Sequence, residues 1–104
     1  MKIVETYFSK EEIKELENSY FKVKSKDVAA YEIESINTGH SWVIHKCLWE
    51  YDNKPVEIYH KHKKSKKYHR HWKCKTVHQA IRSIKSHDRY YLENKRMYKF
   101  IIGK

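Results

Sequence analysis

The sequence has very little of the residues that form linkers, tight loops and covalent frameworks. Of its 104 residues, two are glycine, one is proline and two are cysteine. So little glycine and proline excludes a low-complexity chain, and two cysteines are too few for a small disulfide scaffold. No apolar run reaches the roughly 18 residues that a membrane-spanning helix needs. We therefore expect one folded domain over residues 1–104 and no membrane partner.

Signals for export are also missing. The first five residues contain no apolar segment followed by a cleavage site, so no secretory signal is predicted. In a chain without such a signal, Cys47 and Cys74 are expected to be reduced rather than bridged. The sequence thus indicates a cytoplasmic protein, and it does not indicate an oligomeric state.

Acidic residues are scarce in the second half of the chain. The net charge is +10, but residues 1–52 carry −3 and residues 53–104 carry +13. Residues 60–75 hold eight Lys or Arg and four His, with no Asp or Glu. A charge distribution polarised in this way steers polyanions towards one face of a protein.

The choice among basic and aliphatic residues is biased as well. Lys outnumbers Arg by 19 to 4, and Ile outnumbers Leu by 10 to 3, which is typical of AT-rich genomes. In this whole-chain character the sequence resembles small accessory proteins of phages and mobile elements of low-GC Gram-positive bacteria. The resemblance rests on composition and on no motif.

Two segments show helical spacing of apolar residues. Ser9 and Glu12 form a capping box, which predicts a helix over residues 10–22. Thr76 precedes a second apolar stripe as an N-cap and predicts a helix over residues 77–91, ending near Asp88 or Asn94. That stripe consists of Val77, Ala80, Ile81, Ile84 and Tyr91. Short strands are expected at residues 2–8 and 96–102.

Between the helices the apolar period changes to two, which is typical of strands. Four strand-like segments with short turns between them are predicted, at residues 28–36, 41–51, 55–63 and 67–74. Short connections join antiparallel neighbours. The predicted fold class is α+β, an antiparallel β-meander of three to four strands with two helices packed on one face.

Simple pairing across the turns predicts a register. It places Ile33 opposite Ile44, Leu48 opposite Tyr59, and Tyr59 opposite Trp72. One sheet face then becomes the expected core; its residues are Ala29, Tyr31, Ile33, Trp42, Ile44, Leu48, Tyr59 and Trp72. The opposite face includes Val56, Ile58 and five histidines, and a one-residue change in any turn would alter this assignment.

The order of these elements resembles two nucleic-acid-binding families. Helix, strands and helix follow each other as in double-stranded-RNA-binding domains, and residues 41–91 resemble the arm-DNA-binding domain of phage integrases. Both resemblances are topological, and a strand at residues 28–36 fits neither family. No site residue is therefore carried over from them.

The basic segment at residues 60–75 is the first candidate site. Lysine and arginine neutralise phosphates, and aromatic rings interleaved with them stack on bases. Because arginine is scarce, contacts to phosphates are expected rather than base readout. The candidate residues are Lys61, Lys63, Lys64, Lys66, Lys67, Tyr68, Arg70, Lys73 and Lys75. The alternatives are an acidic protein partner and a hairpin that is only solvated.

Histidines in the same segment form the second candidate site. His60 and His62, like His69 and His71, have the spacing that places two side chains on one strand face. In the simplest register His62 faces His69 and His60 faces His71, with His45 and Cys47 beside them. Four nitrogen or sulfur ligands suit Zn²⁺, so a zinc-binding structural domain is an alternative function. The other interpretation is a set of surface histidines among lysines, with no cofactor.

An exposed apolar patch is the third candidate. Trp49, Tyr51 and Ile58 would lie together on the face opposite the core, and such patches often mark partner sites. They give the rival function, a protein that binds and modulates a host or defence protein. Catalysis is not expected, because Cys74, His78, His87 and Asp88 show no spacing known for a nucleophile and its base.

Overall fold

The computed structural model describes residues 6–47 and 53–102, the last seven of these by their backbone alone. Within these residues, five strands form one antiparallel sheet, in which each strand pairs with the next along the chain. The α+β class and the antiparallel meander are thus confirmed, with five strands in place of the three to four expected. The elements are α1 (Lys10–Leu16), β1 (Phe21–Lys26), β2 (Ala30–Ser35), β3 (Ser41–Lys46), β4 (Val56–Lys61), β5 (His69–Cys74) and α2 (Val77–Ile102).

Helix α1 begins where the sequence predicts and ends earlier. The Ser9 hydroxyl accepts a hydrogen bond from the Glu12 amide, and the Glu12 carboxylate accepts one from the Ser9 amide, so the capping box is confirmed. The helix ends at Leu16 instead of residue 22. Of the strand expected at residues 2–8, residues 6–8 are not in a strand and the others lie outside the described residues.

The segment after α1 forms an extra strand that the sequence analysis missed. The carbonyl of Asn18 accepts a hydrogen bond from the Phe21 amide and turns the chain. Strand β1 then pairs with β2, placing Phe21 opposite Ser35 and Val23 opposite Ile33. The spacing of Leu16 and Tyr20 extends a helical pattern, but the ladder to β2 satisfies the backbone and overrides that local preference.

Strands β2 and β3 carry the core face that the sequence predicts. Tyr31, Ile33, Trp42 and Ile44 are all buried. Ile33 lies opposite Trp42 rather than Ile44, and because this shift is an even number of residues, the faces are unchanged.

Strand β4 presents the face opposite to the predicted one. Val56, Ile58 and His60 are buried, whereas Tyr59, expected in the core, points to the other face and is half-buried. Tyr59 pairs with Val43 instead of Leu48. This shift is an odd number of residues, so every side chain of the strand changes face.

Strand β5 contains a β-bulge. Trp72 lies opposite Ile58 and Arg70 lies opposite Tyr59, so His71 has no pairing partner on β4. Trp72 was expected in the core opposite Tyr59, yet it is 47% exposed. It does face the core side, but β5 is the last strand of the sheet and leaves one flank of the ring open.

Helix α2 starts at the predicted cap and continues well past its predicted end. The Gln79 amide donates to the Thr76 hydroxyl, which confirms the N-cap. The strand expected at residues 96–102 is instead helix, because no glycine or proline stands between Val77 and Ile102 to stop it. In the described part of the chain, neither helix has the length and apolarity needed to cross a membrane.

One apolar cluster joins the helices and the sheet. Leu16 of α1 belongs to it, together with four residues of the predicted stripe of α2 and the buried apolar residues of β1 to β5. From α2 the cluster takes Val77, Ala80, Ile81 and Ile84. Four of the five predicted core residues of α2 are therefore confirmed. The fifth, Tyr91, is partly buried and lies against His40, with ring centroids 4.5 Å apart.

Candidate nucleic-acid interface and histidine cluster

The turn between β4 and β5 presents lysines to solvent. Ser65 orders the turn, because its amide donates to the carbonyl of His62 and its hydroxyl accepts from the amide of Lys67. Lys63, Lys64, Lys66 and Lys67 are exposed. Among the described residues, no carboxylate lies within ion-pair distance of these four lysines. Their charge is therefore available to a partner.

The other predicted contact residues lie along β4 and β5. Lys61 sits over the ring of Tyr68, with Nζ 5.0 Å from the ring centroid. The Tyr68 hydroxyl donates to the carboxylate of Glu32 at 2.7 Å, and partial burial with this bond raises the pKa of Tyr68. Tyr68 therefore anchors the hairpin to β2. Arg70 and Lys75 are exposed and Lys73 is partly buried.

A groove between β5 and α2 was not foreseen from the sequence. It has a volume of about 660 Å³ and is lined by two arginines, Arg82 and Arg89, together with Trp72 and Tyr90. Tyr90 is 68% exposed and Trp72 is 47% exposed. The helical spacing of Arg82 and Arg89 was a usable signal, but only the true register of β5 shows that Trp72 lies beside them.

Six histidines from four parts of the chain meet where β4 and β5 enter their connecting turn. We call this region the base of the hairpin, the exposed turn its tip, and the six residues the histidine cluster. They are His40 before β3, His60 and His62 from β4 and the residues just after it, His69 and His71 of β5, and His87 of α2. Ring centroids of His60 lie 4.7–5.5 Å from those of its five neighbours in the cluster. His60 is thus the centre of the cluster.

The centre of the histidine cluster is buried. His40 is 1% exposed and His60 is 2% exposed. Nδ1 of His40 and Nε2 of His60 are 2.9 Å apart, so one ring donates a hydrogen bond to the other. Trp42 stacks on His60 with ring centroids 4.2 Å apart.

This burial keeps the central rings uncharged. Desolvation, followed by the neighbouring histidines, lowers the pKa of His60 to about 3. Desolvation also lowers the pKa of His40, His71 and His87, although Asp88 partly offsets the effect on His40 and His87. At neutral pH these imidazoles are therefore neutral, and each keeps one nitrogen lone pair.

Asp88 lies beside the cluster and is fully buried. Its carboxylate accepts hydrogen bonds from the Tyr20 hydroxyl at 2.7 Å and the Thr38 hydroxyl at 3.2 Å. The predicted end of α2 near Asp88 is wrong, because the helix continues to Ile102. Nδ1 of His87 is buried without a hydrogen-bond partner in the described part of the chain, with a carboxylate oxygen of Asp88 at 4.0 Å.

The predicted metal ligands are close together, but their pairing differs from the prediction. His60 lies opposite His69 rather than His71. Among the described residues, two triads have ligand atoms within 4.8 Å of one another, and both contain His60. The first is His40, His60 and His62, and the second is His60, His69 and His71.

Two members of the cluster were missed, although the sequence contained a signal for each. His40 continues the alternation of Trp42 and Ile44 on the core face, but it was assigned to the turn. His87 lies three residues after Ile84, near the apolar stripe of α2. Both positions follow from periodicity once the ends of the elements are extended.

The other predicted neighbours of the histidines lie elsewhere. His45 bonds to Glu57 on the opposite sheet face, 3.1 Å away, because the face of β4 is reversed relative to β3. Cys47 is partly buried after the end of β3, and neither cysteine forms a disulfide.

The predicted partner patch is not assembled in the described residues. Ile58 is fully buried in the core, so it is not available to a partner. The reversed face of β4 is the reason for this error. Trp49 and Tyr51 lie outside the described residues.

The remaining chemistry-bearing residues are separated from one another. Cys74 is buried, which raises the pKa of its thiol. His78 is exposed on α2 and bonds to Glu15 of α1 at 2.7 Å. The thiol of Cys74 and the imidazole of His78 therefore lie in different environments, one buried and one exposed.

Comparison with known proteins gives no relative. No protein-family model matches the chain, and no curated protein or solved structure matches it.

Proposed function

We propose that this protein binds nucleic acid and contacts phosphates through the basic hairpin, residues 60–75, with both helices covering the core face of the sheet. The observation that carries the proposal is the exposed β4–β5 turn, where four lysines have no acidic neighbour within ion-pair distance among the described residues. Phosphate groups release condensed counterions when such lysines replace them, which drives association at low salt.

The groove between β5 and α2 supports the same proposal. Trp72 and Tyr90 expose ring surface, and Arg82 and Arg89 add charge beside them. Bases stack on exposed aromatic rings, while arginines hold the adjoining phosphates. The groove is bordered by β5, the strand that follows the lysine-bearing turn, and we expect one strand of nucleic acid to contact both.

The composition of this surface favours binding without sequence readout. Lysine meets phosphate as a point charge, whereas specific contacts to guanine come mostly from bidentate arginine. The proposed role is that of an accessory protein of a phage or mobile element in the reducing cytoplasm. The two unbridged cysteines and the biased composition support this setting.

The proposal is tested by titrating a labelled single strand and a labelled duplex with protein at low and moderate salt. We expect binding at micromolar protein and low salt, with log K falling by about 0.7–0.9 per phosphate contact for each unit of log salt. Binding of either probe supports the proposal, and tighter binding of the single strand indicates stacking in the groove. Absence of binding by both probes at low salt would falsify it.

A pair of charge-matched variants locates the interface. Lys64, Lys66 and Lys67 are changed together to glutamate, and the control changes Lys10, Lys14 and Lys22, which are also exposed. Lys63 is left intact because its side chain lies against Gly39. The hairpin variant should lose binding and the control should retain most of it; equal losses would show that only net charge matters and would reject the hairpin as the interface.

A further inference from the structure

The histidine cluster has the properties of a ligand set rather than of ordinary packing. Imidazole is a common ligand of Zn²⁺, and the rings of His40 and His60 are almost completely buried side by side. The ligand atoms of His40, His60 and His62 all lie within 4.8 Å of one another. Tetrahedral zinc, with Zn–N bonds of about 2.0–2.1 Å, needs nitrogens roughly 3.3 Å apart, so small rotations of the side chains are sufficient.

The two central nitrogens already face each other. Nδ1 of His40 and Nε2 of His60 are 2.9 Å apart and share one proton. A divalent cation between them would accept both lone pairs. The ring that donates the bridging proton would then carry it on its other nitrogen, so both imidazoles stay neutral and no net proton is released from the pair.

The first triad is better built than the second. His40 and His60 are buried and enter from two different segments, the turn before β3 and strand β4. His69 of the second triad is exposed, and all three of its ligands lie on the β4–β5 hairpin. His62 is exposed and gives an ion a route from solvent to the buried pair.

A buried histidine nitrogen lies beside the cluster without a hydrogen-bond partner. Nδ1 of His87 is buried and unpartnered within the described residues, and the ring centroid of His87 is 4.7 Å from that of His60. Buried polar atoms are nearly always satisfied in native proteins by protein, water or an ion. His87 belongs to neither triad, so its nitrogen is a partner for water beside the cluster and not a ligand of the ion.

We propose that the histidine cluster binds one divalent transition-metal ion of the zinc class through His40, His60 and His62. The fourth position is open to water. The ion would tie the turn before β3 to the base of the basic hairpin and so stiffen the element that carries the lysines. This site does not depend on the proposed nucleic-acid function.

The test uses untagged full-length protein that has been stripped with EDTA, with no nucleic acid present. Zn²⁺ is titrated by calorimetry, and Co²⁺ is titrated by visible absorption as a probe of tetrahedral coordination. We expect saturation at one ion per chain, a Co²⁺ ligand-field band and a higher melting temperature with Zn²⁺. Protein that shows no saturable binding of either ion overturns the proposal.

Variants assign the ligands. His62→Gln removes an exposed ligand and should weaken Zn²⁺ binding by at least about tenfold, because one of three protein bonds is lost. His45→Gln and His78→Gln alter histidines outside the cluster and should leave the affinity unchanged. Circular dichroism verifies the fold of each variant. His62 is the ligand chosen for replacement because it is exposed, whereas replacing the buried His60 risks unfolding the protein.

The second triad supplies the critical comparison. The double variant His69→Gln, His71→Gln should keep Zn²⁺ affinity within about threefold of the parent if the first triad holds the ion. A larger loss in this double variant than in His62→Gln would overturn the ligand assignment. Equal affinity in every variant, with the fold intact, would overturn the site itself.

Discussion

The tip and the base of the β4–β5 hairpin are built from the same basic stretch of sequence, yet they lie in opposite environments. Lys64, Lys66 and Lys67 at the tip are in water with no carboxylate nearby among the described residues. His60 at the base is almost completely buried, covered by Trp42 and in contact with His40 from the turn before β3.

The difference follows from the chemistry of the two side chains. An ammonium group pays a large desolvation cost in a protein interior, so lysine stays at the surface unless it is paired. Imidazole can give up its proton near neutral pH and enter the core as a neutral polar ring. Counting both residues as basic therefore hides two roles, a charged surface and an uncharged cluster of lone pairs.

The largest effect on stability should come from truncating Trp42, which covers the base of the hairpin. Trp42→Ala removes a fully buried ring that covers His60, and we expect a loss of about 3–5 kcal/mol in the free energy of unfolding. Urea denaturation measures it. The matched control is Trp72→Ala, at a position that is 47% exposed, where the loss should be under about 1 kcal/mol. Equal losses would contradict the assignment of the core face.

Acidification should destabilise the fold through the buried histidines at the base of the hairpin and not through the lysines at its tip. The pKa of His60 is lowered to about 3 and those of His40, His71 and His87 are also lowered, whereas the unfolded chain binds protons near the ordinary value of 6.5. The stability of metal-free protein should therefore be complete above pH 6.5 and fall as the pH drops towards the folded-state pKa values.

A window in pH isolates the histidines. The pKa values of Glu17, Glu32 and Glu57 are lowered from 4.5, so these carboxylates also destabilise the fold on acidification, but only below about that pH. Melting temperatures recorded between pH 7 and 5 report the histidines alone. A melting temperature that is constant over this range would contradict burial of neutral rings in the cluster.

A smaller effect should come from the hydrogen bond beside the cluster. Tyr20→Phe removes the donor to the buried carboxylate of Asp88, and a hydrogen bond to a charged group contributes about 1.5–3 kcal/mol. Thr38 still donates to Asp88, so we expect the lower part of this range. The control is Tyr90→Phe, an exposed position that should leave the urea midpoint unchanged.

The smallest effect on stability should be at the tip itself. Changing Lys64, Lys66 and Lys67 to glutamate alters exposed side chains, and each substitution should shift the free energy of unfolding by no more than about 0.5 kcal/mol. Urea denaturation of the variant used in the binding experiment provides the measurement. A loss comparable to that of Trp42→Ala would mean that the tip is part of the folded core.

Caps and strand periodicity predicted much of the fold. The capping residue Ser9, the cap at Thr76 and the buried faces of β2 and β3 follow from local patterns, and each is present. Strand β1 could not be predicted in this way, because Tyr20 extends the apolar spacing of α1 and only pairing with β2 decides between helix and strand. The predicted α2 was too short because polar Asp88 was taken to end the helix, whereas it is buried inside the helix.

The candidate sites were harder to predict because they depend on register. The chain between β3 and β4 gave no reliable turn length, and an odd error there exchanged the faces of Tyr59 and His60. The lysines at the tip were identifiable from composition alone. The histidine cluster needed His40 and His87, which are 47 positions apart in sequence and brought together by tertiary packing alone.

The β-bulge gives strand β5 one residue more than its pairing requires. His71 and Trp72 together oppose Ile58, so loss of either one would leave the flanking pairs in place and restore regular alternation. Loss of Arg70 would instead bring His71 opposite Tyr59 and move its side chain from the core side of the sheet to the opposite face. A deletion at His71 or Trp72 therefore preserves the strand pairing and the sheet faces of β5. We expect the other positions of the strand to tolerate substitutions but not deletions.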